Sequence, residues 1–155
     1  MTYSLHQRDL DKALESEVLG ELLFQTAAAH ANQPEQQEKW LLLARLETQT
    51  LHKLQDFLQQ NGWQASVSAM TRLGARASGV ALGRMPWGLA MRLLRQGTGP
   101  FMRTFERMHA HADVQTRGFL AYLLAHEQAL AEFARREIEE AGRDALAPVR
   151  ALLED

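Results

Sequence analysis

Four stretches of this chain repeat their apolar residues at three- and four-residue steps, and two of the three joints between them are very short. The first runs from about Ser4 to Ala31, with Leu10, Leu14, Val18, Phe24 and Ala28 as its stripe; Ser4 with Gln7 fits a capping box. The second runs from Pro34 to about Gln60, with Trp40, Leu43, Ala44, Leu51, Leu54 and Leu58 inward. Pro34 suits a first helical turn, Glu35 and Glu38 its positive end, and Asn61-Gly62 a stop. The third is expected to begin at Pro100 and to bury Phe101, Phe105, Met108 and Ala112. Asp113 is a cap for the fourth, which carries Phe119, Leu123, Leu130 and Phe133 and ends near Ala141-Gly142. A short closing helix is expected over Asp144 to Leu153. No stretch of any length alternates as a strand would, so the fold class is all-α.

The joints set the topology. Asn32-Gln33-Pro34 makes the first two helices antiparallel neighbours, and the break before Asp113 does the same for the last two. Between the second and third lies a connector, about 63–99, rich in Gly, Ala and Ser and without an acidic residue. Two short helices are expected in it, about Val67–Leu82 and Trp87–Arg95, and the small residues of the first would let a neighbouring backbone come close. Two antiparallel hairpins joined by one long crossover form the ferritin-like version of a four-helix bundle. The 155 residues suffice for one such domain with a full core, spanning 1–155.

Composition removes several classes of function. There is no cysteine, which excludes disulfides, thiolate zinc sites, iron–sulfur clusters and cysteine nucleophiles. A formal charge of −2 argues against a general electrostatic grip on nucleic acid. The first residues carry charges where a signal peptide needs an apolar core, and no apolar run reaches the roughly 20 residues of a membrane span. A cytoplasmic protein is the expectation. The segment GRMPWGLAMRLLRQ mixes Trp87, Leu89, Met91, Leu93 and Leu94 with Arg84, Arg92 and Arg95. Packing across the bundle, or a subunit contact in a homodimer, is the preferred reading over attachment to a membrane surface.

Polar residues break the apolar stripes in a consistent way. Glu17 and Glu21 fall within roughly 20° of the centre of the first stripe, Glu47 lies at the centre of the second, and His126, followed by Glu127, lies within the fourth. Each of these residues is near the midpoint of its helix. In a bundle of similar antiparallel helices, midpoints share one level, because every residue rises 1.5 Å. An unpaired carboxylate at that level costs several kcal/mol or is forced to protonate. A cation held by carboxylate and imidazole, without sulfur, offsets that cost, and such ligands suit iron, manganese or zinc.

With these residues the chain resembles the ferritin-like superfamily of rubrerythrins, bacterioferritins and di-iron oxygenases over its four main helices. The resemblance implies that Glu21 or Glu17 stands for the first-helix glutamate and Glu47 for the second. It implies iron as the cofactor, and oxygen or peroxide chemistry of a non-haem metal-dependent oxidoreductase. The family's Glu-x-x-His motif is absent where it should occur: Thr50 follows Glu47 by three, and Leu130 follows Glu127 by three. Glu106–His109 has that spacing but projects to the polar side of its helix. A di-iron site, a mononuclear site built from Glu17 or Glu21, Glu47, His126 and Glu127, and a metal-free bundle acting through an interface all remain open. Glu137 is read as a helix-end salt bridge, Glu132 with Arg135 and Arg136 as a solvated face, His52 as outward-facing, and Tyr122 as core in preference to a hydrogen-bond donor.

Overall fold

The computed structural model describes residues 6–140 and 144–155, and these are all-helical. The elements are α1 (Gln7–Ala29), α2 (Pro34–Gln60), α3 (Ala69–Arg84), α4 (Trp87–His111), α5 (Val114–Glu139) and α6 (Ala147–Leu152). Two expected boundary signals, Ser4 and Gly142, lie outside the described residues. No described helix is long and apolar enough to cross a membrane.

The boundaries follow local chemistry. Pro34 occupies the first turn of α2, and Gly62, at φ 67°, follows its last turn in a left-handed conformation that glycine adopts without strain. The Ser68 hydroxyl accepts from the Thr71 N–H at 3.1 Å to start α3. Asp113 caps α5 as expected, accepting from the Thr116 N–H at 2.9 Å. The closing helix α6 is shorter than expected. Asp144 stays outside it and instead accepts from the Leu146 N–H at 3.1 Å.

The larger difference concerns Pro100, which lies inside α4 and does not begin a new helix. Gly97, Thr98 and Gly99 precede it, and Pro100 itself is on the solvent side. The missing N–H therefore removes one ladder bond on an exposed face, and the small residues before it relieve crowding by the ring. The Thr98 and Thr104 hydroxyls bond back to the carbonyls of Arg95 and Pro100 at 2.9 and 3.2 Å, holding the helix on both sides. The expected crossover is thus α3 together with the first half of a single 25-residue helix.

Residue pairs give the helix directions. Gln37 reaches the Ala28 carbonyl and Thr48 reaches Glu21, so α2 runs antiparallel to α1. Lys39 pairs with Glu137 and Phe57 stacks on Phe119, so α5 runs antiparallel to α2. Helix α3 runs beside α1 in the same direction. A β-carbon on Gly79 would lie 2.7 Å from the Leu23 carbonyl oxygen, and one on Gly83 would lie 2.5 Å from that of Ala27. Glycine at these two positions allows the close approach expected of the small-residue segment. Because α3 carries the chain back, α2 and α4 point the same way.

The core divides in two. One apolar cluster includes Phe24, Trp40, Leu43, Met91, Leu130, Phe133 and Val149; the other includes Leu10, Leu54, Phe57, Phe105, Met108, Leu120 and Leu123. Trp87 packs edge-on against Trp40 at 5.2 Å and donates to Glu137 at 3.0 Å, so this part of the arginine-rich segment does pack across the helices. In α1, α2 and α5 the polar residues Glu17, Glu47 and His126 fall between the stretches that feed the two clusters. The fold therefore closes a polar layer from both ends with hydrocarbon.

Candidate metal centre

Glu17 from α1, Glu47 from α2 and His126 from α5 meet in that layer, with side-chain ligand atoms within 4.8 Å of one another. Glu17 and His126 are 0 % exposed, Glu47 1 % and Glu127 3 %. The imidazole lies between carboxylates: Nδ1 is 3.6 Å from Glu17 Oε1 and Nε2 is 3.2 Å from Glu47 Oε1. Neither contact has hydrogen-bond geometry. Among the described residues, Glu17 Oε1 and Oε2, Glu47 Oε2, and His126 Nδ1 and Nε2 are buried without a hydrogen-bond partner. Leaving such atoms unpaired costs about 1–3 kcal/mol each, and more when charged.

The electrostatics follow from this burial. Burial pushes Glu17 well above the usual carboxylate range; His126 opposes the shift, while Glu47 and Glu127 add to it. Glu47 is likewise raised well above that range by burial, then by the charge of Glu127. Glu127 is raised by burial, against the opposing effects of His126 and of the Ser16 hydroxyl. Ser16 donates to Glu127 Oε1 at 2.8 Å, and that oxygen is 3.9 Å from His126 Nδ1.

Two expected ligands, Glu127 and Glu21, are not part of that three-residue group. Glu21 is half-buried and accepts from the Thr48 hydroxyl at 2.6 Å, so it is turned away from the Glu17, Glu47 and His126 group. It bears on the centre through its charge, which acts on Glu47. His52 and Glu106 are exposed, as expected from their azimuths. Glu137 pairs with Lys39 at 2.6 Å near the helix end. Tyr122 is more than packing: its hydroxyl lies 2.9 Å from the buried Thr50 hydroxyl and accepts from Gln49 at 3.0 Å.

Two contributors escaped the sequence reading. Gly20 faces Glu47, and a β-carbon there would lie 2.5 Å from the Glu47 Cδ. The available signal was a glycine inside a helical pattern between two stripe glutamates, which costs about 1 kcal/mol relative to alanine and so calls for a packing reason. Ser16, buried beside Glu17, gave no comparable signal, because serine is common on either face of a helix.

These residues could hold a cation. Two ligands on one ion, each at about 2.0–2.2 Å, lie no more than about 4.4 Å apart, close to the 4.8 Å within which one ligand atom from each of these residues lies. Among the described residues, the three that leave buried side-chain atoms unpartnered are the three that would be ligands. No known family pattern, curated protein or solved structure matches the chain.

Proposed function

We propose that this chain is a ferritin-like helical-bundle protein that binds one transition-metal ion, iron foremost, through Glu17, Glu47 and His126. The observation that carries the proposal is that, among the described residues, the buried side-chain oxygen and nitrogen atoms without a hydrogen-bond partner all lie on these three. Two carboxylates and an imidazole without sulfur suit iron, manganese or zinc. The direction of the helices supports the ferritin-like reading, since α3 returns the chain so that α2 and α4 run the same way.

Iron held here would supply a redox change for oxygen or peroxide chemistry. The chain's own contribution is electrostatic and positional. Apolar clusters above and below leave Glu17, Glu47 and His126 no more than 1 % exposed, which strengthens each interaction among them. Glu127, oriented by Ser16 and raised by burial, is placed to hold or release a proton next to the ligands. Glu21, fixed by Thr48, adds negative charge outside the ligand set.

One observation favours a second reading. The two ring nitrogens of His126 face different carboxyl groups, an arrangement that a metal-free imidazole packed between two glutamates would also produce. On that reading the bundle is a structural or interaction module. Anaerobic titration of chelator-treated protein with ferrous iron, followed by desalting and elemental analysis, separates the two: retained metal that is lost in Glu17→Gln and His126→Ala supports the first, and no retained metal the second.

A further inference from the structure

The polar layer is reached from outside by a cleft of about 400 Å³ between α1, α3 and α4. It exists because α3 packs along α1 through Gly79 and Gly83 and does not pack along α4. Its mouth is formed by exposed positions, Ser78 and Ala81 on α3 and Leu93 and Gly97 on α4. Its inner end is formed by Gly20, Glu47 and Glu127.

We propose that this cleft binds an uncharged, largely apolar small molecule, with one end against the Glu47 and Glu127 carboxyls. The proposal rests on the metal reading only in taking that inner end as the place of reaction; the binding itself does not require metal. The walls between mouth and inner end are hydrocarbon, including Leu19, Leu23, Phe24, Leu82, Leu94 and Leu130. Among the described residues no lysine, arginine or histidine lines the cleft, so an anion entering it would lose its hydration without a countercharge. The hydroxyls of Ser16 and Thr98 are already committed, to Glu127 and to the Arg95 carbonyl. Apart from the exposed Ser78 hydroxyl at the mouth, directional polar recognition is therefore confined to the inner end, where the carboxyls of Glu47 and Glu127 line the cleft. A long-chain alcohol has the required chemistry; the corresponding carboxylate does not. The volume falls within the roughly 300–1,000 Å³ of small-molecule pockets.

The test is equilibrium binding of Nile red, a neutral fluorophore, to the full chain, with dodecanol and dodecanoate as competitors. Saturable binding is expected, with dodecanol displacing the dye at a concentration at least about tenfold below that of dodecanoate. Gly97→Phe and Ser78→Trp each place bulk in the mouth, and a β-carbon at Gly97 meets nothing within 4 Å, so the helix accepts the change. Both variants should weaken dye binding at least about tenfold while retaining metal. Absence of saturable binding, equal competition by the two chains, or dye binding unchanged in both variants would overturn the proposal. The competitor ratio is measured on the unaltered chain and decides the matter if a variant fails to fold. Metal retention without dye binding contradicts this inference alone; dye binding without metal retention contradicts only the proposed function.

Discussion

Gly20 and Glu47 share one space between α1 and α2: the carboxyl of Glu47 lies where a side chain on Gly20 would be, 2.5 Å from the position of its β-carbon. The glycine costs helix stability and makes room for a buried acid. Gly20→Ala should therefore separate fold from site. The obstructed atoms are the far end of a flexible side chain, so the bundle can yield, and helix propensity gains about 1 kcal/mol. Displaced from its place, Glu47 should lose metal affinity by about 10–100-fold, the range seen when the groups that orient a metal ligand are disturbed. Competitive titration against a chromophoric chelator measures the affinity, and urea unfolding of metal-free protein measures the stability. A parallel loss in both would mean that Gly20 serves packing only.

Glu47→Gln keeps the shape of the side chain and removes its ionisation. Added ferrous iron should raise the melting temperature of the unaltered chain and leave that of the variant unchanged. In the absence of metal, at pH about 8, the variant should be the more stable by about 1–3 kcal/mol, since folding no longer has to protonate that carboxyl or bury its charge. Thermal unfolding with and without metal provides both comparisons.

The same groups set a pH dependence for the metal-free protein. Burial raises Glu17, Glu47 and Glu127 above their unfolded values; they face His126 and one another, and Glu47 also faces the charge of Glu21. The folded chain thus holds protons that the unfolded chain has already released. Their contribution to stability is complete below the ordinary glutamate value of about 4.3 and is lost as pH rises through the raised values. Urea midpoints of metal-free protein should fall between pH about 5 and about 8, and fall less in a Glu17→Gln, Glu47→Gln double variant. Bound metal should flatten or reverse the trend, because it requires the deprotonated ligands.

The α1–α3 contact predicts a change of a different kind. At Gly83 a β-carbon would meet the backbone of α1, 2.5 Å from the Ala27 oxygen and 3.1 Å from its Cα. Backbone cannot move aside as a carboxyl can, so Gly83→Ala should destabilise by about 1–3 kcal/mol despite its better helix propensity. An unchanged urea midpoint would show that α3 is not held by this approach.

How much of this could be read from the amino acids divides along physical lines. Stripe azimuth and helix midpoint placed Glu17, Glu47 and His126 at one level, because a regular helix turns a residue number into a height and a direction. The same rules located the cap at Asp113 and the stop at Asn61-Gly62. Pro100 misled because a proline's effect depends on which side of the helix it occupies and on what precedes it, and both are settled by tertiary packing. Glu21 shares the azimuth of Glu17, but its carboxyl is drawn off by Thr48, a choice made by the neighbouring helix. The cleft was hidden for the same reason: it depends on α3 lying against α1 and standing apart from α4.

Everything proposed for this layer depends on whether Glu17, Glu47 and His126 hold a metal ion. The most direct test is the metal content of protein purified without chelator and then loaded anaerobically with ferrous iron and desalted. About one ion per chain is expected, and loss of that ion in Glu17→Gln and in His126→Ala. Less than about a tenth of an equivalent of any transition metal, in protein whose helical content and unfolding are intact, would contradict that expectation.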